Sequence, residues 1–206
     1  MPVSKPGGLT RLLDFPRVYS WFADCIGGDA RSSYTREYVR PAPGQRIVDI
    51  GCGPADIVAE LPDGVEYVGI DMSPKYIDAA RARFGSRASF HCQSISSELP
   101  VGPARFDIAM ANGVLHHLDD AQALDLLRVA RASLAEGGRF VTLDGCYIPN
   151  QSPIARWLLK MDRGKHVRAP EAYVELAERE FGTVVPHVRQ DLLRIPYTHL
   201  IMECRP

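Results

Sequence analysis

Residues 47–53, Ile47-Val48-Asp49-Ile50-Gly51-Cys52-Gly53, place a run of β-branched residues holding one acid directly before two glycines. An apolar run of this length suits a strand buried on both faces of a parallel sheet. The glycines let the backbone turn sharply and leave it bare, so a ligand can approach without meeting a side chain. Asp56-Ile57-Val58-Ala59-Glu60-Leu61 follows and begins a helix. Strand, glycine turn and helix in that order put a nucleotide-like ligand at the carboxyl end of a sheet.

The alternation continues to about residue 148. Strands are expected over 46–50, 67–71, 88–93, 106–111 and 139–144, the third being the weakest. Helices are expected near 55–60, from Pro74 to about Phe84 with Ser73 as N-cap, and over 121–135. The last carries an apolar stripe of Ala123, Leu126, Leu127, Ala130 and Leu134, and Gly137-Gly138 is read as its stop. A further helix restarts at Ala169-Pro170-Glu171 and runs to about Glu180. Stretches 183–188 and 192–203 read as a closing antiparallel pair. The fold class is therefore α/β: a doubly wound, mostly parallel seven-stranded sheet with an antiparallel last strand and helices on both faces. Residues 1–43, rich in aromatics and arginine (Tyr19, Trp21, Phe22, Tyr34, Tyr38), form a helical cap over the ligand edge. The domain proper is 44–206, with a substrate-covering insertion at about 147–170.

A length of 206 residues allows one domain, and a net charge of -1 gives no electrostatic footprint for nucleic acid. No apolar run reaches the roughly 18 residues of a membrane span. The first residues lack a signal-peptide core, and the five cysteines are scattered and odd in number. The chain is read as cytoplasmic, without membrane, nucleic-acid or metal partners.

Asp49 and Asp71 end two successive strands, 22 positions apart. In a nucleotide-binding unit the second acid reaches the ribose hydroxyls, because a carboxylate accepts from both. Val48-Asp49-Ile50-Gly51-Cys52-Gly53-Pro54, Gly69-Ile70-Asp71-Met72-Ser73, and Phe106-Asp107-Ile108 through Val114-Leu115-His116-His117-Leu118 together resemble a class I S-adenosylmethionine-dependent methyltransferase. The resemblance covers about residues 44–145. It implies an enzyme that transfers a methyl group in line from S-adenosyl-L-methionine to a small molecule. A non-catalytic cofactor-binding module is the alternative.

On that resemblance Gly51, Cys52 and Gly53 form the loop under the cofactor, with Cys52 as a small packing residue. Asp49 orients the loop or reaches the amino group through water. Asp71 holds the ribose and Met72 lies against the adenine, while Gln93, Ser94 and Ile95 flank its other edge. Ala111 and Asn112 sit beneath the methionine end, and Tyr34 caps the sulfonium. Two positions depart from the family pattern: Ala55 stands where a third glycine is frequent, and Ser94 where an aspartate is. A nicotinamide dinucleotide fits less well, since Pro54 removes a donor and Asp56 puts negative charge where a pyrophosphate would bind.

A base is needed only if the acceptor is protonated. His116, His117 and Asp144 are the candidates at the strand ends, His117 within reach of Asp119 or Asp120 and His116 the freer. Arg31, Arg36, Tyr19 and Tyr34 can close the pocket. The basic stretch Lys160-Met161-Asp162-Arg163-Gly164-Lys165-His166-Val167-Arg168 suits an anionic substrate. The acceptor atom and the oligomeric state are left open.

Overall fold

The computed structural model describes residues 29–94, 105–161 and 164–206. Tyr19, Trp21, Phe22, Cys25, Ile95, Asp162 and Arg163 lie outside them. Seven strands run in the order β3-β2-β1-β4-β5-β7-β6: β1 Arg46–Ile50, β2 Glu66–Asp71, β3 Ala88–Cys92, β4 Phe106–Asn112, β5 Leu134–Gly145, β6 Thr183–Arg189 and β7 His199–Arg205. The first five are parallel, and β7 runs antiparallel to both β5 and β6. In register, Asp49 stands opposite Gly69 and Met110. The strand order reverses at β1, so the crevice outside the ends of β1 and β4 is where a ligand binds in such a sheet.

Helices cover both faces. On one, α1 (Ala30–Tyr34) with the π-helical turn Thr35–Val39, a 3₁₀ turn (Asp56–Glu60) and α2 (Pro74–Phe84) pack on Ile47, Tyr67, Ile108, Met110, Val141 and Ile201. On the other, α3 (Asp120–Ser133) and α5 (Pro170–Glu178) pack on Val48, Ile50, Ala109, Phe140 and Leu200. Helix α4 (Pro153–Met161) lies between β5 and α5 in the chain. Ala123, Leu126, Leu127 and Ala130 are buried, as their spacing predicts.

Local differences have physical causes. Asp119 and Gln122 form a reciprocal capping box, so α3 starts at Asp120. That helix ends at Ser133, and Gly137-Gly138 does not stop it. The chain passes directly into β5, and the glycine pair lies where the β4–β5 register slips between the Phe106 and Ile108 pairs. A Cβ on Gly138 would meet the Phe106 and Ala135 carbonyls at 2.9 and 3.0 Å, which is why a side chain is absent there. The segment after Gly53 is a five-residue 3₁₀ turn, because Ala55 takes φ 56 and redirects the chain. A left-handed alanine costs about 1–2 kcal/mol.

Phe140 is fully buried and stacks on Phe181, with centroids 5.6 Å apart. Phe140→Ala is expected to lower stability by about 3–5 kcal/mol, read as a lower urea midpoint with an unchanged slope.

Candidate functional site

The glycine loop is held from below by β2. Ile70 O accepts from Gly51 N at 2.7 Å and Cys52 N at 3.0 Å. Asp71 completes the grip: its Oδ2 accepts from Gly53 N at 2.9 Å, and its Oδ1 from Ser73 N at 2.7 Å. Each carboxylate oxygen accepts one backbone N–H and keeps a second lone pair for a ligand hydroxyl. Asp71, not Asp49, therefore orients the loop. Gly51 has φ 79, and a Cβ there would meet Val114 Cγ2 at 2.6 Å. Gly53 has φ 54 and open space where a Cβ would point, which is the bare backbone a cofactor needs.

Asp49 is 2 % exposed. Tyr67 donates its hydroxyl to Asp49 Oδ2 at 2.6 Å, while buried Oδ1 has no hydrogen-bond partner among the described residues. Burial raises this carboxyl to about 7, the Tyr67 hydrogen bond opposes the rise, and Asp71 adds to it. A buried carboxylate oxygen without a donor is costly by itself and is matched by an ammonium group. Tyr67 carried no distinguishing signal in the sequence, since an aromatic in a strand reads as core.

At the neighbouring rim Tyr34 donates to Asn112 Oδ1 at 2.6 Å. Tyr34 is buried and Asn112 ends β4. Cys52 packs toward β2: a Cβ on Gly69 would meet its sulfur at 2.8 Å. Burial pushes its thiol far up, so it is a packing residue and not a nucleophile. Ala111 is buried in β4, Met72 is 74 % exposed beside Asp71, and Gln93 and Ser94 are exposed just past β3.

The histidine pair reverses the sequence expectation. His116 is 6 % exposed, and its Nδ1 lies 2.8 Å from Asp144 Oδ1, which also accepts from the His116 backbone N–H at 3.1 Å. His116 is therefore held by Asp144 and is not the freer histidine that the sequence suggests. His117 is exposed, its ring 4.2 Å from that of His116. Asp119 and Asp120 are engaged with Gln122 and Arg168, respectively. Asp144 is buried, and desolvation raises its carboxyl despite the hydrogen bonds from His116, which pull the other way. Its Oδ2 has no hydrogen-bond partner among the described residues.

Of the expected pocket-closing arginines, Arg31 lies 3.7 Å from Asp56. Arg36 lines a shallow surface depression with Arg40, Pro41 and Pro62, away from the ligand edge. Asp56 also pairs with Arg83, so its charge is not directed at a ligand. In the basic stretch Arg168 is turned inward, and Lys160 and Lys165 are exposed. Among the described residues no helix is long and apolar enough to cross a membrane, and no cluster could hold a metal ion.

Residues 47–138 match the methyltransferase-domain family. Methyltransferases from Synechocystis (uncharacterised, 29 % identical over 121 residues, 58 % of this chain and 56 % of that one) and Aspergillus sclerotiorum (an O-methyltransferase, 33 % over 124 residues, 55 % and 46 %) are similar in sequence. The chain thus spans about half the length of these relatives. The pyocyanin biosynthetic protein PhzM has a similar fold, with a TM-score of 0.75 at 22 % identity over 96 % of this chain and 60 % of that one.

Two outcomes test the site. Folded Asp49 titrates near 7 against 3.8 when unfolded, so between those values the folded protein binds the extra proton. The ligand-free protein therefore loses up to about 1.4 kcal/mol of stability per pH unit as pH rises through that window. Asp49→Asn should remove this part of the slope in denaturation measured from pH 4 to 8. Affinity for the aminoacyl portion should rise with pH over the same range and lose that rise in the variant. Asp71→Ala should weaken cofactor binding by at least about 1.5–3 kcal/mol by calorimetry, since the loop loses its anchor together with the ribose acceptor.

The glycine loop, the two strand-end acids, the sheet order and the match of residues 47–138 lead to one conclusion: that stretch is similar to a methyltransferase domain, and the chain is similar in sequence and in fold to methyltransferases.

Proposed function

We propose that the protein methylates a hydroxyl group on a small molecule, with His116 as general base and Asp144 as its orienting partner. The observation that carries this reading is the buried 2.8 Å contact between His116 Nδ1 and Asp144 Oδ1. A carboxylate on Nδ1 selects the tautomer that carries hydrogen there and leaves the lone pair on Nε2. When bound, the cofactor supplies an electrophilic methyl on a sulfonium. A hydroxyl is a poor nucleophile until its proton leaves, so a base at the rim has work to do. Nε2 of His116 takes that proton, and Asp144 stabilises the resulting imidazolium.

The cofactor would lie with its ribose on Asp71, its adenine on Met72 near Gln93 and Ser94, and its ammonium toward Asp49. Tyr34 and Asn112 hold the methionine end in place. The O-methyltransferase name of the Aspergillus relative supports an oxygen acceptor. The stretch 147–170 covers the acceptor: Gly164 lies against His116, and Leu159 of α4 against Gly145. Tyr34, bonded to Asn112, would close the other side. With Arg168 turned inward, an anionic acceptor would depend on exposed Lys160 and Lys165, so a neutral phenol or alcohol is the better fit.

A panel of phenols and alcohols assayed with radiolabelled cofactor tests the reading. His116→Gln should reduce turnover by about 10²–10⁴-fold, while calorimetry shows S-adenosylhomocysteine binding unchanged. Full turnover in the variant would remove His116 from the reaction. Cofactor binding without turnover across the panel would favour a binding module.

A further inference from the structure

We infer that Arg168 is the positioning residue that holds the two halves of the His116–Asp144 pair together; the inference rests on the base assignment made above. His116 and Asp144 come from different parts of the chain. His116 sits in the 3₁₀ turn Leu115–His117, after β4, and Asp144 near the end of β5. A hydrogen bond between them is useful only if the turn cannot slide along the strand.

Arg168 reaches both. Its guanidinium donates through Nη1 to Leu115 O at 3.0 Å and through Nη2 to Leu118 O at 2.7 Å, the two carbonyls that bracket the histidine turn. Leu115 O also accepts from Leu118 N at 3.2 Å, Leu118 O follows the end of the turn, and a planar fork of donors spans the two carbonyls as a point charge does not. Asp120 accepts from the same fork, from Nη2 at 2.8 Å and Nε at 3.1 Å, which fixes its plane. On the backbone side, Arg168 O accepts from Tyr147 N at 3.1 Å, and Arg168 bridges in parallel to Cys146. Tyr173 donates to Gly145 O at 3.1 Å and accepts from Arg168 N. The main chain of Arg168 is thus stitched to residues 145–147, immediately after Asp144, and its side chain to the residues around His116.

The segment leading to Arg168 completes the enclosure. His166 N donates to His116 O at 2.9 Å. Gly164 lies so close to the imidazole that an ideal Cβ would fall 2.2 Å from His116 Cδ2. The strap 164–168 is therefore a wall against the ring, and Arg168 is its latch. The arginine side chain is 10 % exposed, whereas the Asp120 carboxylate is 75 % exposed. Its burial points to the carbonyls, not the screened ion pair, as the main attachment.

Imidazole ¹⁵N NMR of the full chain with S-adenosylhomocysteine tests this without an acceptor. The His116 signals are assigned by their absence in His116→Gln. In the unaltered protein a Nδ1-bound proton should be protected from exchange. Arg168→Met should speed its exchange by about tenfold or more and move the His116 titration midpoint, while S-adenosylhomocysteine affinity stays within about twofold. Arg168→Lys should recover only part of the protection, because an ammonium cannot fork between two carbonyls. Should Arg168→Met fail to fold, Asp120→Asn is expected to give a smaller change in the same direction. Unchanged protection and midpoint in the arginine variant would overturn the inference, as would full recovery with lysine or parallel loss of cofactor binding. A latch effect by NMR together with full turnover in His116→Gln would instead sink the base assignment and leave the positioning role standing.

Discussion

The Asp71 carboxylate is the point on which the site depends. It closes the glycine loop by accepting from Gly53 N, and it ends β2 by accepting from Ser73 N at the start of α2. One side chain thereby sets the height of the loop over the sheet, the direction of the next helix and the position of its own acceptor oxygens. These bonds are made within the protein, so the carboxylate does not have to be ordered when a ligand arrives. That saves rotamer entropy at the moment of binding.

A second acid has the opposite character. Asp49 is buried with one oxygen bonded and the other unpartnered, beside Tyr67 and within the influence of Asp71. In the ligand-free state proton uptake relieves its burial. On the proposed function a cationic group would relieve it better, and a phosphate would not. The five-residue turn after the loop also offers no long helix terminus for a pyrophosphate.

The rim at His116 and Asp144 is built differently from the glycine loop. The loop and Asp71 belong to one βαβ unit, and the pairing of β1 with β2 places them side by side. His116 and Asp144 meet only because β4 and β5 are adjacent, and because residues 164–168 return to the same rim. Arg168 reads as a surface cation in a basic stretch. In the fold it is enclosed, with its donors directed at Leu115 and Leu118. The distance in sequence, 53 positions, hides the pairing.

The sequence by itself determined the alternation of strands and helices, the glycine loop and the packed stripe of α3. These are local: strand period, helix period and turn chemistry act within a few residues, and parallel pairing of successive units then follows from handedness and short connections. Only the tertiary structure decided that His116 meets Asp144, that Tyr67 bonds Asp49, that Gly137-Gly138 accommodates a slipped register instead of ending a helix, and that Arg168 reaches the Leu115 and Leu118 carbonyls. Each of these is a contact between elements brought together by the fold. A hydrogen bond of about 3 Å depends on the meeting of two elements, and residue type alone does not encode which elements meet.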